Sequence, residues 1–168
     1  MTMRMAWMMA FAVLGVTAGA GSVLAQGAST CVEDPARPVP PFWNAEARTV
    51  APTMAIRPRE RVRLTLAPAA EVSFAQPPER TPAADTRGAV FRLAVPSDGR
   101  WRVLLSEGGW VDMVTDGLRQ ASVAHGHWSR CGGPYKAVDY RLRRGIATLQ
   151  LSGVRGETID VLVLRAGD

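Results

Sequence analysis

The 168-residue chain reads as an all-β protein, a single antiparallel two-sheet sandwich or jelly roll of eight or nine strands behind an irregular Pro-rich arm. Three observations predict it. From residue 59 onward, apolar residues recur at every second position, the period of a strand with one buried face. Turn chemistry separates these runs at roughly 8–12 residues, the spacing of sandwiches and barrels. No amphipathic helix of useful length follows residue 25.

Residues 1–25 have the pattern of a secretory signal peptide. Arg4 is the one charge, an uncharged apolar run covers 6–19, and small residues end at Ser22-Val23-Leu24-Ala25. Cleavage after Ala25 would leave Gln26 as the N-terminus of a periplasmic chain. The apolar run is short for a helical span of about 20 residues, and no later segment is long and apolar enough for one. The expected organisation is a signal over 1–25, an arm over 26–58 and a sandwich over 59–168.

In the arm, Pro35, Pro38, Pro40, Pro41, Pro52 and Pro58 forbid a long helix and spoil a central strand. Phe42 and Trp43 are expected to plug into the domain edge. In the first strand Val62, Leu64 and Leu66 share one face, and Arg61, Arg63 and Thr65 the other. A second strand is expected to carry Val72 and Phe74, followed by a Pro-rich charged loop over 76–87. Phe91, Leu93 and Val95 alternate next. The tight turn P-S-D-G at 96–99 leads to the row Trp101, Val103, Leu105. Gly108 and Gly109 break it, and a strand follows over 110–115. Asp116-Gly117 suits a two-residue hairpin turn, and a returning strand covers 118–124. The last strands carry Val138, Tyr140 and Leu142, then Ala147, Leu149 and Leu151, then Ile159, Val161 and Val163. Each strand has one apolar row, which accounts for most of the hydrophobic content without a ligand pocket.

The formal net charge is +5, and Lys136 is the only lysine among the 20 basic residues. Arginines 57, 59, 61 and 63 are spaced to form a basic stripe, and Arg141, Arg143 and Arg144 a second cluster. The export signal and the lack of interleaved aromatics argue against nucleic acid. An exposed sheet face explains the stripe. The two cysteines of an exported chain point to one disulfide, Cys31–Cys131.

The candidate chemistry is the segment A-H-G-H-W-S-R-C-G-G. It holds both histidines of the chain, His125 and His127, close to Cys131. If the strand continues through them, their spacing puts both imidazoles on one face. Such a pair can chelate Cu or Zn, given further ligands such as Asp112, Asp139, Glu107 or Cys131. The plainer reading is that the histidines order the chain after the strand. Ser122 and Ser129 lie near them, but no nucleophile elbow is present. Trp110, Trp128 and Lys136 complete a candidate binding surface. Phosphate loops, dinucleotide fingerprints, paired C-x-x-C motifs and EF-hand loops are absent.

The runs F-R-L-A-V-P-S-D-G-R-W-R-V-L-L, G-W-V-D-M-V-T-D-G, A-H-G-H, R-C, K-A-V-D-Y-R-L and L-Q-L-S-G, within residues 88–165, resemble a group of small exported proteobacterial β-sandwich proteins. The group is similar to pre-peptidase C-terminal modules, which accompany secreted enzymes and are usually non-catalytic. The resemblance is most specific at His125, His127, Cys131, Lys136 and Asp139. Members of the group also carry the label homogentisate 1,2-dioxygenase. A non-haem iron oxygenase of that kind uses a facial triad of two His and one carboxylate. Two histidines in total would leave none for acid–base work. The expected function is an exported, non-catalytic binding or interaction module for a periplasmic protein or small ligand, without a cofactor. A Cu- or Zn-binding protein and a dioxygenase are the alternatives.

Overall fold

The computed structural model describes residues 38–51, 54–128 and 131–167. The expected signal peptide, Cys31 and Ser129 lie outside the described residues. In chain order the strands are β1 (Arg48–Val50), β2 (Ala55–Ile56), β3 (Val62–Thr65), β4 (Ala67–Pro68), β5 (Arg87–Val95), β6 (Gly99–Leu105), β7 (Trp110–Thr115), β8 (Leu118–Gln120), β9 (Ser122–His127), β10 (Lys136–Leu142), β11 (Gly145–Val154) and β12 (Thr158–Arg165). One sheet runs β1-β3-β12-β6-β10-β9. The other runs β2-β5-β11-β7-β8, with β4 paired to β5. The result is a β-sandwich that does not close into a barrel.

The alternating rows form its core. Leu64, Val103, Val161 and Val163 of the first sheet pack within one cluster with Phe91, Leu93, Met113, Leu149 and Leu151 of the second. Burying one such side chain contributes roughly 1.5–3 kcal/mol. Trp101 belongs to this core, as its phase with Val103 requires.

Four details differ from the sequence reading. First, the sheets are mixed. β1 pairs parallel to β3, and β2 parallel to β5. The chain passes from β1 in one sheet to β2 in the other and back to β3, so β1 and β3 run the same way without a hairpin between them.

Second, these parallel strands come from the Pro-rich arm, where only irregular chain was expected. Two or three residues are enough for a sheet edge, where proline is tolerated.

Third, no strand forms at Val72 and Phe74. A single 3-10 turn occupies Ala69–Glu71, and residues 72–86 are irregular. The segment is held by side-chain pairing instead. The buried Gln150 amide accepts from Gln76 N and donates to Gln76 O, both at 3.0 Å. Phe74 lies over Gly88, where an added Cβ would meet its ring at 3.1 Å and Leu151 O at 2.5 Å.

Fourth, the expected strand over 118–124 is two strands. β8 pairs with β7 in the second sheet, and after Ala121 the chain enters the first sheet as β9 on β10.

The outer face of the first sheet has a second apolar cluster. Trp43, Leu104, Ala137, Leu162 and Leu164 are buried there, with Val39 and Trp128 packed against them. Trp43 thus seals this face, while neighbouring Phe42 stays partly exposed. Two indoles fasten the arm to the segment after β9. Trp43 Nε1 donates to Gly132 O at 3.0 Å, and Trp128 Nε1 donates to Pro38 O at 3.3 Å.

Candidate binding site at one end of the sandwich

The ends of β6, β9 and β11 and the starts of β7, β10 and β12 converge on one end of the sandwich. Loops 106–109, 132–135 and 155–157 lie there, and the irregular segment passes at residues 80–86. Between them opens a cleft of about 920 Å³. Trp43, Arg61, Trp110, Tyr135, Ser152 and Arg155 contribute to its walls, with glycines 108, 109, 132, 133 and 153 keeping it open. Three lining residues hold buried polar atoms with no hydrogen-bond partner among the described residues, Arg61 Nε, Trp110 Nε1 and Ser152 Oγ. Such atoms cost free energy unless water or a ligand satisfies them.

A second cavity, of about 320 Å³, lies beside the first and shares Arg80 and Trp110 with it. It sits in the seam between the sheets. β9 is an edge strand, and β8 covers only the Met113–Thr115 half of β7, so Trp110 and Val111 meet no strand on that side. His125, His127, Lys136 and Tyr140 form the wall from the first sheet, and Glu79 and Arg80 close it from the irregular segment.

The strand does continue through both histidines, and the register fixes their direction. His125 pairs with Val138 and His127 with Lys136, so both imidazoles project from the same face as the core residue Val138. Both stay exposed because they stand at the open edge. His127 meets the Tyr135 ring edge-on, with centroids 5.2 Å apart.

Lys136 Nζ donates to Gly109 O at 2.6 Å and sits 5.0 Å from the Trp110 ring centre. The Arg80 guanidinium lies 4.7 Å from the same centre. Burial, and then the Arg80 charge, pushes the Lys136 ammonium below the usual lysine range. The buried Tyr140 hydroxyl donates to Val111 O at 2.7 Å and ties the sheets together. Burial, and after it the Asp112 charge, raises the phenol well above its ordinary range.

The expected metal set does not come together. Asp139 alternates with Val138 and Tyr140, so it faces the outer side of the first sheet. There it accepts from Arg102 Nε at 2.7 Å and Nη2 at 3.0 Å, and from Arg100 Nε at 2.8 Å. Asp112 alternates with Val111 and Met113 and faces the outer side of the second sheet. It accepts from Glu79 N at 3.3 Å and pairs with Arg119 at 3.3 Å. Burial holds its carboxyl above the usual range, despite the Glu79 N–H and Arg119. Among the described residues no three His, Cys, Asp or Glu are grouped to hold a metal. Glu107 lies on the cleft wall and packs over Gly156.

Of the remaining candidates, Trp110 and Lys136 join the histidines, whereas Trp128 packs on the outer face under Arg102. Cys131 lies in the loop after β9 and is not a free thiol. The arginine stripe is not a free basic surface, because Arg61 and Arg63 both bind Asp160, at 2.6 and 2.7 Å. Sequence reading missed Arg80, Tyr140 and Ser152. Tyr140 reads as core from its phase, and nothing local marks Arg80, which reaches the site only because its irregular segment folds over Trp110.

No protein-family model, curated protein or solved structure matches the chain.

Proposed function

We propose that the protein is an exported, non-catalytic binding module that takes a small ligand at this end of the sandwich. One observation carries the reading: a cleft of about 920 Å³ whose walls set Trp43, Trp110 and Tyr135 beside Arg61, Arg155 and Ser152. A pocket of this size with aromatic walls and a few convergent polar groups suits a small molecule. The resemblance to non-catalytic modules of secreted enzymes and the signal-like N-terminus support the export half of the reading. We assign Cys131 to a bridge with Cys31. The Trp43–Gly132 and Trp128–Pro38 hydrogen bonds support it, because they hold Pro38, seven residues from Cys31, beside the Cys131 loop.

Thermal unfolding with and without a periplasmic small-molecule extract tests the binding reading. Ligand that binds the folded state raises Tm. Gly108→Phe serves as the blocked control, since an added Cβ there meets Tyr135 at an ordinary 3.4 Å. The expected result is a rise in Tm for the native chain and none for G108F. Equal behaviour of the two would end the reading. The intact mass of the periplasmic protein tests the rest: it should begin at Gln26 and be short by two hydrogens.

A second reading rests on the shared face of His125 and His127. Two imidazoles at that spacing can chelate Cu or Zn, with water completing the shell. Calorimetric titration with zinc and copper salts should then give binding that His125→Ala with His127→Ala abolishes. Unchanged binding would remove this reading.

A further inference from the structure

We propose that the seam cavity is an oxyanion site, built to hold the carboxylate or phosphate-ester group of a small organic ligand between Lys136 and Arg80. The inference rests on the binding-module reading and names the chemistry that this part of the end accepts.

Charge balance is the first argument. Among the described residues, each of the three buried carboxylates already faces an arginine. Asp160 holds Arg61 and Arg63, Asp139 holds Arg100 and Arg102, and Asp112 holds Arg119. Arg80 and Lys136 form no ion pair among the described residues, although they lean on the same indole ring at 4.7 and 5.0 Å. Lys136 is the more telling of the two. Its ammonium is partly buried and has three donor hydrogens, yet its one hydrogen bond among the described residues goes to Gly109 O. The Arg80 charge acts on Lys136 as a repulsion, with no ion pair among the described residues to offset it. This repulsion and the burial of Lys136 both press against its charged form. A bound anion would relieve both costs at once.

The rest of the cavity fits the same chemistry. Glu79 is the one carboxylate on its wall, against Arg80 and Lys136 and the two imidazoles. Imidazole N–H groups, the Ser122 hydroxyl and the Arg80 fork are donors suited to oxyanion oxygens. Trp110, Val111 and Val138 supply apolar wall for the organic part of the ligand. At about 320 Å³ the space takes a group of roughly one aromatic ring with its charged substituent, near the lower end of small-molecule sites. Arg80 and Trp110 also border the larger cleft, so a longer ligand anchored by its anionic end has room to extend there.

The test is an NMR titration of the folded protein, following the Trp110 indole N–H and the His125 and His127 ring signals. The probes are sodium benzoate, phenyl phosphate and neutral benzyl alcohol. Both anions are expected to move these signals saturably and benzyl alcohol at least tenfold more weakly. Lys136→Met should weaken the anions at least tenfold. The exposed Arg80→Gln, which leaves the fold's own hydrogen bonds in place, should weaken them several-fold. Response to one anion alone identifies the oxyanion, carboxylate or phosphate, and supports the site. If benzyl alcohol binds as well as the anions, or if neither variant weakens them, the oxyanion assignment is overturned while the binding-module reading stands. If no probe moves the signals, the assignment is likewise overturned, and the Tm experiment decides the broader reading by itself.

Discussion

Two aspartates organise the outer face of the first sheet, and both do so in the same way. Asp139 takes a bidentate pair from Arg102 and a further bond from Arg100. Asp160 takes a bidentate pair from Arg63 and a further bond from Arg61. One arginine of each trio then covers an indole, Arg102 over Trp128 at 5.6 Å and Arg61 over Trp43 at 4.8 Å. The carboxylates are buried at 1% and 4% exposure, so their arginines are needed to offset the desolvation. Removing one carboxylate leaves two crowded cations over an apolar cluster. Asp139→Ala is expected to lose about 2–3 kcal/mol, moderated because both arginines reach solvent. Urea unfolding measures it, and a loss below about 0.5 kcal/mol would place the pair among ordinary surface ion pairs. The direction of Asp139 is legible in the sequence, because Val138 and Tyr140 flank it on a strand. Its arginine partners are not, since they depend on how β6 pairs with β10.

At the scale of elements, the arm and the segment after β9 act as a clasp over the outer cluster. Each gives a tryptophan whose N–H is accepted by a backbone carbonyl of the other. Trp43 is 1% exposed, and Trp43→Ala is expected to lose about 3–5 kcal/mol on denaturant unfolding. Trp128→Phe keeps most of the packing and removes the bond to Pro38. It should leave global stability within about 1 kcal/mol yet speed protease cleavage in the arm. Equal cleavage rates would show that the Trp128 bond does not hold the arm. The hairpin turn belongs to the same scale and was readable locally. Asp116 and Gly117 adopt φ of 51° and 75°, the paired positive values that a type I′ turn needs. The break at Ala121 was not readable, because residues 118–124 contain no Gly, Pro, Asn or Asp. Pairing with two different sheets divides them.

For the whole molecule, acid should be the main solution threat. Burial opposes the ionised forms of Asp139 and Asp160, but their arginines outweigh it and hold both carboxyls below the ordinary 3.8. A depressed folded value stabilises above the unfolded value and is lost as pH falls through the folded one. Asp112 has the opposite sign. Its raised value penalises the folded state above that value, and the penalty fades on acidification. Two carboxyls against one leave a net loss below about pH 4. The urea midpoint should hold nearly constant from neutral pH to about pH 5 and then fall, and the fall should be shallower in Asp160→Asn. A midpoint that rises below about pH 4 would show that Asp112 dominates.

The sequence by itself determined the sandwich, its alternating core, the turns at residues 96–99 and 116–117, and the common face of His125 and His127. Each of these follows from period-2 geometry or from the conformational needs of a few adjacent residues, which are local properties. The tertiary structure alone decided what stands opposite the histidines. Asp112 and Asp139 turn to outer faces and bind arginines, while Arg80, brought by an irregular segment, joins Lys136 at Trp110. Such neighbours are set by strand order and by the path of the connecting chain. Both are fixed by the packing of residues far apart in sequence, and no local spacing records them.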